Sequence, residues 1–187
     1  MRELIADLFI SLDGFAGAVD AGPFFGYDGP ELSNWVRTEL NRPQVLLMGR
    51  NTYMALAGLA ATAADAVSAR MRELPKLVFS GTLEGPLAWK NTQVVGGDLA
   101  REIRTLKQQR GDPIRSIGSI QLVKGMMAVG LVDRLRLMVF PLILGGAGSE
   151  PIYANHVRTA LHLFGTAVLD SRIVLLEYGP PRNTHNA

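Results

Sequence analysis

The sequence contains no cysteine. This absence excludes disulfide scaffolds, zinc sites built from cysteine, thiol nucleophiles and thiol redox chemistry, and it favours an intracellular setting. Long apolar runs are missing too, because the best candidate for a membrane span, residues 137–144, contains Pro141 and falls far short of the roughly 20 residues required. Glu3 and Asp7 interrupt the apolar start of the chain, unlike the hydrophobic middle of a secretion signal. The sequence therefore predicts a soluble, cytoplasmic protein without a membrane partner.

Neither positive nor negative side chains are in large excess. Nineteen Lys and Arg residues face 17 Asp and Glu residues, the net charge is +2, and no basic tract suggests a nucleic-acid partner. Apolar residues make up 48% of the chain and charged residues 19%, which excludes long-range disorder and a coiled coil. With 187 residues and no linker-like change in composition, the chain is predicted to form one domain over residues 1–179. Residues 180–187 are predicted to fray.

Strand-like and helix-like segments alternate along most of the chain. Short apolar runs predict strands, and apolar residues at helical spacing predict helices. The alternation is typical of βαβ units, which build a largely parallel sheet with helices on both faces. The last three strand-like segments have no helix between them and predict antiparallel strands that close the sheet. The predicted strands are 4–12, 44–48, 76–79, 91–95, 114–117, 133–144, 160–169 and 173–178.

Helices are predicted in the connections between the earlier strands. Proline at the first helical position and Asp or Ser before an apolar run mark their starts. In the helix that follows Asp98, Lys107 is predicted to face water together with the other charged residues. The predicted helices run from Pro30 to before Pro43, from Asn51 to Glu73 with a break near Gly58, from the cap Asp98, and from the cap Ser119 to Gly130.

Two glycine-rich segments stand out between these elements. Residues 15–29 hold several glycines together with Phe15, Phe24, Phe25 and Tyr27, too much glycine for a regular element and too many aromatic rings for a plain linker. This segment is predicted to be a loop that covers a ligand. Residues 145–149, together with Tyr153, are predicted to form a loop on the substrate side or the dimer side.

Two strand-to-helix junctions have a form that suits phosphate. At Gly49-Arg50 and at Gly118-Ser119 a predicted strand passes directly into a predicted helix, whose first N–H groups and positive end attract anions. Arg50 can bind a phosphate with two hydrogen bonds. The simpler alternative is a helix start with a surface arginine at the first junction and a capped helix at the second. Two such junctions on one sheet point to a dinucleotide with its pyrophosphate between them.

In order and spacing, these segments resemble the dihydrofolate reductase-like fold family. They are most similar to the group related to the reductase domain of the bifunctional riboflavin-biosynthesis deaminase-reductase, and the resemblance covers almost the whole chain. It implies a three-layer α/β fold with a mixed, mostly parallel sheet, helices on both faces and antiparallel C-terminal strands. The motifs that carry the resemblance are Ser11-Leu12-Asp13-Gly14, Met48-Gly49-Arg50-Asn51-Thr52-Tyr53, Lys76-Leu77-Val78-Phe79-Ser80, Gly96-Gly97-Asp98-Leu99-Ala100, Gly118-Ser119, Gly130-Leu131-Val132-Asp133, Leu135-Arg136-Leu137, Phe140-Pro141 and Leu144-Gly145-Gly146.

The resemblance implies an NADPH-dependent reductase. In the family, one turn and the end of the next strand hold the adenosine and its 2′-phosphate, and the later glycine-containing turn cradles the pyrophosphate. The nicotinamide would lie beside the end of the first strand and the loop 15–29. Mapped onto this chain, the adenosine side is Gly49, Arg50, Asn51, Thr52, Ser80, Gly81 and Thr82, and the pyrophosphate side is Gly118, Ser119, Ile120 and Gln121.

Two positions depart from the family pattern. Relatives often carry arginine where this chain has Gly81, and a small residue where it has Ile120. The first departure removes a guanidinium from the expected 2′-phosphate site, which could cost on the order of 1 to 3 kcal/mol of binding free energy. The second places a side chain where glycine would allow the closest approach to the pyrophosphate, so binding would depend on backbone N–H groups.

Few residues are candidates for the proton donor that a hydride transfer needs. Asp13 follows the first strand and could contact substrate or simply form an Asp-Gly turn. Glu31 lies in the first turn of a helix, near the place of the acidic residue in dihydrofolate reductases, or it only stabilises the helix dipole. His156, His162 and His185 lack the spacing of metal ligands, and no metal is expected.

The expected substrate is a small pyrimidine- or pterin-like carbonyl or imine compound, as in 5-amino-6-(5-phosphoribosylamino)uracil reductase. Without cysteine the chain lacks the zinc deaminase signature, so a stand-alone reductase is expected. The resemblance also implies a homodimer. The alternatives are a true dihydrofolate reductase, a non-catalytic NADP(H)-binding module and, third, a purely structural oligomer.

Overall fold

A computed structural model describes residues 1–18, 22–63 and 65–181. Among these residues, no helix is long and apolar enough to cross a membrane. The predicted C-terminal tail falls outside the described residues from position 182 onward. The strands within the described part of the chain are β1 Leu4–Ser11, β2 Phe15–Ala18, β3 Val45–Gly49, β4 Lys76–Phe79, β5 Thr92–Val95, β6 Ile114–Ile117, β7 Arg134–Phe140, β8 Gly148–Pro151, β9 His162–Leu169 and β10 Ile173–Gly179. Its α-helices are α1 Pro30–Asn41, α2 Arg50–Thr62, α3 Ala66–Glu73, α4 Leu99–Gln108 and α5 Ile120–Ala128.

Eight strands form one sheet in the order β5-β4-β3-β6-β1-β7-β10-β9. All neighbours from β5 to β7 run parallel, whereas β10 pairs antiparallel with β7 and with β9. The predicted α/β fold with a mostly parallel sheet and antiparallel C-terminal strands is therefore confirmed. Strand β7 belongs to both parts, since it runs parallel to β1 on one side and antiparallel to β10 on the other.

Helices cover both faces of the sheet and make three layers. Leu4 and Leu8 of β1 point to the same side as Ile103 of α4 and Val123 of α5, and these four side chains share one apolar core. On the opposite face α1, α2 and α3 supply a second core through residues such as Tyr53, which is 1% exposed. Alternation along the strands explains this division, because successive side chains of a strand point to opposite faces.

The N-terminus of α1 is capped from the far end of the chain. Both carboxylate oxygens of Asp170, in the turn between β9 and β10, accept hydrogen bonds from the N–H groups of Glu31 and Leu32 at 3.0 Å. In return the Glu31 carboxylate accepts a hydrogen bond from the N–H of Asp170. A Cβ atom at Gly29 would collide with the Asp170 carboxylate, so glycine is required there. The cap fixes α1 against the C-terminal hairpin.

A cluster of buried charges lies beneath α1, on the second face of the central strands. Arg136 of β7 binds Asp7 of β1 through two hydrogen bonds of 2.6 and 2.8 Å, and its Nη1 donates to Glu39 of α1 at 2.6 Å. Arg115 of β6 donates to the same Asp7 carboxylate. All four residues are 7% exposed or less, and both guanidinium groups lie 5.0–5.6 Å from the Trp35 ring centroid. The cluster ties three strands to one helix.

Two predictions about the helices are wrong. The helix does not break near Gly58 but continues to Thr62. The break falls before Asp65, whose side chain caps α3 at the N–H of Ser68. Lys107 does not face water. It is 5% exposed and donates to the Leu131 carbonyl and the Asp133 carboxylate.

The second glycine-rich segment is more regular than predicted. Residues 145–147 form a short 3-10 turn and 148–151 form β8, which pairs antiparallel with β2. The start of the predicted ligand loop, residues 15–18, is thus a strand, and positions 19–21 lie outside the described residues. A Cβ atom at Gly148 would lie 2.5 Å from the Phe15 ring, so only glycine allows the two strands to approach this closely.

Lys76 of β4 is buried, and its hydrogen-bond partners within the described residues are all backbone carbonyls. Its ammonium group donates to the carbonyls of Met71, Arg72 and Leu74 at 2.5–2.9 Å, where α3 ends, and lies 5.4 Å from the Trp89 ring centroid. The side chain is 1% exposed. Burial lowers the pKa of Lys76 to about 8 from 10.5.

The lowered pKa predicts a pH-dependent contribution of Lys76 to stability. Because the pKa is lower in the folded chain, the unfolded chain binds more protons between about pH 8 and pH 10.5, and stability rises with pH across that range. Wild type should therefore gain about 2 kcal/mol relative to Lys76→Met between about pH 7 and pH 10. Urea unfolding of both proteins at several pH values measures the difference, in which other titrating groups cancel. A constant difference would show that the pKa of Lys76 is normal.

Candidate functional site

The crevice of the sheet lies between β3 and β6. These neighbouring strands run parallel, so their carboxyl ends meet at one edge. From β3 the chain passes through α2 and α3 to β4 on one side, and from β6 it passes through α5 to β7 on the other side of β1. The two connections diverge and leave an opening above the strand ends. Such topological switch points are the usual ligand sites of open α/β sheets.

A cleft of about 540 Å³ occupies this opening. This volume lies within the range of sites that bind small molecules and cofactors. Its walls combine the first turns of α2 and α5 with the end of β8 and the segment after it. The lining residues are Gly49, Arg50, Asn51, Thr52, Phe79, Leu99, Ser119, Ile120, Gln121, Leu122, Lys124, Glu150, Pro151, Ala154 and Asn155. Both predicted strand-to-helix junctions therefore open into one space.

The Ser119 hydroxyl group joins the two junctions. It accepts a hydrogen bond of 2.7 Å from the N–H of Gly49 and donates one of 2.7 Å to the Thr52 hydroxyl. Gly118 and Ser119 both have a φ of +60°, a left-handed conformation that turns the Ser119 side chain away from its own helix. Ser119 is thus not the predicted side-chain cap of α5. Instead it holds the N-termini of α2 and α5 side by side.

The paired helix starts present backbone N–H groups to the cleft. The first N–H groups of a helix have no acceptor within the helix, and its N-terminus carries a partial positive charge. At α5 these groups belong to Ile120, Gln121 and Leu122. The Ile120 side chain is 8% exposed and packs in the core with Leu8 and Val123. The departure at Ile120 therefore leaves the N–H groups accessible to an anion.

Arg50 extends from the first turn of α2 toward the end of β4. Its Nη1 atom donates to the Thr82 hydroxyl at 3.3 Å. Thr82 is held by a turn in which the Ser80 hydroxyl accepts hydrogen bonds from the N–H groups of Thr82 and Leu83 at 3.0–3.1 Å. Nothing lies within 4 Å of where a Cβ at Gly81 would be. The guanidinium of Arg50 thus stands beside the position where relatives often carry arginine.

Sequence reasoning missed the opposite wall of the cleft. Lys124 donates from Nζ to the carbonyls of Pro151 and Ala154 at 2.9 and 2.8 Å, and so fastens the segment after β8 to α5. Glu150 and Asn155 in this wall have φ values of +58° and +55°, which are unusual for residues other than glycine. Lys124 lies one helical turn after Ile120, so helical spacing from the second junction could have found it.

Asp13 lies in a turn and does not line the cleft. Its carboxylate accepts a hydrogen bond of 2.7 Å from the Ser11 hydroxyl and bonds of 2.8–3.1 Å from the N–H groups of Leu144 and Gly145. The Ser11 hydroxyl, with these N–H groups, lowers the pKa of Asp13 to about 2. The group is ionised at neutral pH and accepts hydrogen bonds there.

Glu31 also lies outside the cleft. It borders a separate opening of about 650 Å³ between α1 and the C-terminal strands, together with Trp35 and Arg136. Its carboxylate accepts a hydrogen bond from the N–H of Asp170. The structure thus brings together Gly49, Arg50, Asn51, Thr52, Ser119, Ile120 and Gln121 in one cleft, with Thr82 touching Arg50, and places Asp13 and Glu31 elsewhere.

Comparison with known proteins extends the sequence resemblance. The family model of the RibD C-terminal domain matches residues 2–175. A curated relative, the uncharacterized protein YyaP of Bacillus subtilis, is 25% identical over 186 residues, which cover 95% of this chain and 94% of that protein.

Two solved structures share the fold. One is a pyrimidine reductase-like protein from Corynebacterium diphtheriae, with a TM-score of 0.69, 14% identity, and coverage of 97% of this chain and 93% of that one. The other is the dihydrofolate reductase of Enterococcus faecalis complexed with NADP(H), with a TM-score of 0.64, 12% identity, and coverage of 95% of each chain. The fold is therefore that of the dihydrofolate reductase-like proteins.

Proposed function

The chain belongs to the RibD C-terminal domain family, and we propose that it is a reductase that uses NADPH to reduce a small pyrimidine- or pterin-like carbonyl or imine compound. The observation that carries the proposal is the cleft at the β3–β6 crevice, where the starts of α2 and α5 meet and Arg50 lies at one end. A dinucleotide with a pyrophosphate in the middle and a further phosphate at one end suits this distribution of positive groups.

The residues of the cleft fit the phosphates of NADPH. The N–H groups at the start of α5 would hold the pyrophosphate, and the Ser119 hydroxyl keeps the start of α2 beside them. Arg50 and the Thr82 hydroxyl would hold the 2′-phosphate, since a guanidinium and a hydroxyl that already touch form a ready pair of donors. This arrangement compensates for the missing arginine at Gly81, because Arg50 would supply a positive charge from a neighbouring turn.

Bound NADPH would supply the hydride, and this chain would contribute alignment of the reacting groups. Lys124 keeps the wall formed by Pro151 and Ala154 in place, which narrows the cleft around a bound dinucleotide. For Asp13 we propose an anchoring role, because its ionised carboxylate holds the turn at Leu144 and Gly145 next to the end of β1. Glu31 would help to position α1, because its carboxylate accepts a hydrogen bond from the N–H of Asp170.

The proposal is tested first by titration with NADPH and NADH. Nicotinamide fluorescence and thermal stability at fixed salt report binding, since a ligand of the folded state raises the melting temperature. Saturable binding with a preference for NADPH is expected. Stopped-flow measurements with bound NADPH then screen aminopyrimidines, pterins and dihydrofolate as hydride acceptors.

Each outcome of the screen separates the proposed reductase from its alternatives. Oxidation of NADPH by an aminopyrimidine or a pterin supports the proposal, and rapid turnover of dihydrofolate alone identifies a dihydrofolate reductase. Tight binding without oxidation by any acceptor favours a non-catalytic NADP(H)-binding module. Failure of both nucleotides to bind overturns the cofactor site.

We also propose that the protein is a homodimer that pairs through β9 and β10. On one face of these strands Leu163 and Val168 of β9 lie beside Tyr178 and Val174 of β10. Leu163 is 45% exposed and Val168 61% exposed, although the strands flank the main core. An apolar face on an edge strand is costly to leave in water, and a second copy of the chain can cover it.

Replacing Val168 by aspartate is expected to convert the dimer to a monomer. A carboxylate buried at the interface without a partner should raise the dimer dissociation constant by about 100-fold or more. Size-exclusion chromatography with light scattering measures the mass of the species. Met54→Asp on α2, which changes a side chain of 54% exposure outside this face, is the control and should leave the mass unchanged. A wild-type protein that is monomeric at micromolar concentration would contradict the proposal.

A further inference from the structure

A second cavity lies under the segment that follows β8, on the side of the sheet covered by α5. Its volume is about 360 Å³. It shares Ile120 and Lys124 with the cleft described above, and otherwise has its own walls. Apart from these two residues, its lining belongs neither to the proposed cofactor site nor to the proposed homodimer face, so ligand binding here does not require the proposed reductase activity.

The floor of this cavity is apolar and rigid. Leu8 of β1, Leu137 of β7, Val123 of α5 and Ile152 each line it, and each is 6% exposed or less. These side chains belong to the main core, so packed residues form the floor of the cavity. A preformed apolar space of this size favours the aliphatic or aromatic body of a small molecule.

The rim of the cavity is basic. Lys124, His156 and Arg158 line it, and among its described lining residues none carries a carboxylate. Lys124 is committed to two carbonyls, and His156 Nδ1 lies 2.9 Å from the Val157 carbonyl oxygen. Arg158 is exposed and makes no ion pair within residues 1–18, 22–63 and 65–181. Its guanidinium is therefore available to an anionic group at the mouth.

From the apolar floor and the basic rim, we propose that this cavity binds a small apolar carboxylate, with its hydrocarbon part against Leu8 and Leu137 and its carboxylate at Arg158. The body of the ligand would be buried in the core of the protein, and the charged end would stay at the surface. A neutral compound of the same shape would lose the ion pair, and a cation would be repelled by the rim.

Three ligands of equal chain length test the proposal: octanoate, 1-octanol and octylamine. Calorimetric titration of the full chain should give one site for octanoate, about tenfold weaker binding for 1-octanol, and weaker binding still for octylamine. Arg158→Glu should weaken octanoate by tenfold or more and abolish its advantage over 1-octanol. Arg104→Glu, the same change of charge on the exposed face of α4, is the control and should change nothing.

The place of binding is tested with Thr159→Trp, which puts a large side chain on an exposed residue of the cavity wall. Octanoate and 1-octanol should both bind at least tenfold more weakly to this variant, while its melting temperature stays close to that of wild type. The proposal is overturned if octanoate fails to bind at millimolar concentration, if 1-octanol binds as tightly as octanoate, or if Arg158→Glu and Arg104→Glu behave alike.

Discussion

Replacing Arg50 by alanine is expected to weaken NADPH binding by about 10- to 100-fold and to change NADH binding by less than about threefold. The guanidinium lies beside the Thr82 hydroxyl at one end of the cleft, where the 2′-phosphate that distinguishes NADPH from NADH would bind. A charge-assisted hydrogen bond contributes about 1.5 to 3 kcal/mol, which corresponds to the expected factor. Fluorescence titration with both nucleotides at one salt concentration measures it.

Two further variants control the interpretation of Arg50→Ala. Arg50→Lys keeps the charge but loses the planar pair of donors, so its NADPH affinity should fall between those of wild type and Arg50→Ala. Arg104→Ala removes an exposed arginine on α4 and should change the affinity for neither nucleotide. Equal losses for NADPH and NADH in Arg50→Ala would mean that Arg50 contacts a part common to both nucleotides, and the assignment of the 2′-phosphate would be wrong.

Replacing Asp7 by asparagine is expected to cost about 3 to 5 kcal/mol of unfolding free energy. Asp7 binds two arginines, Arg115 and Arg136, and all three side chains are 5% exposed or less. Burial opposes the charge of Arg136, but the attraction of Asp7 and Glu39 outweighs it and raises the pKa of Arg136 above its usual value. Without Asp7, Arg115 keeps a buried charge that no other carboxylate neutralises in the cluster. Urea unfolding monitored by tryptophan fluorescence measures the loss.

The matched control for Asp7→Asn is Glu3→Gln. Glu3 pairs with Arg134 at 3.2 Å, but these side chains are 40% and 37% exposed, so water competes for both charges. This substitution should cost less than about 1 kcal/mol. A loss of similar size in both variants would show that the buried cluster is no more important to stability than a surface ion pair.

The order along the chain of the helices and of the strands of the eight-stranded sheet could be predicted from the sequence, because the local signals agree with the fold. Pro30 begins α1, and the Asp98 side chain caps α4 at the N–H of Arg101, as predicted. The Ala-rich stretch from Asn51 to Glu73 is different, because both Gly58 and Asp65 could interrupt a helix. A glycine on an open helix surface costs only about 1 kcal/mol relative to alanine, whereas Asp65 offers the next helix a cap.

The two junctions of the cleft were visible as short motifs, but the contacts between distant residues were not. Lys107 has the helical position of a solvent-facing residue, and only the approach of Asp133 and of the Leu131 carbonyl makes its burial favourable. Asp7, Arg115 and Arg136 each interrupt an apolar strand, which was the one signal of a buried ion cluster in the sequence. Their pairing depends on the strand order, with β1 between β6 and β7, and that order follows from no local pattern.

The central place of β1 also has a consequence for synthesis on the ribosome. The first strand to emerge ends at Ser11, but its two neighbours begin only at Ile114 and Arg134. Because synthesis proceeds at about 5 to 20 residues per second, this apolar strand stays unpaired for on the order of 10 seconds. The cap of α1 comes later still, since Asp170 lies near the end of the chain. During that time the nascent chain exposes an unpaired apolar strand, which is the kind of segment that aggregates during synthesis.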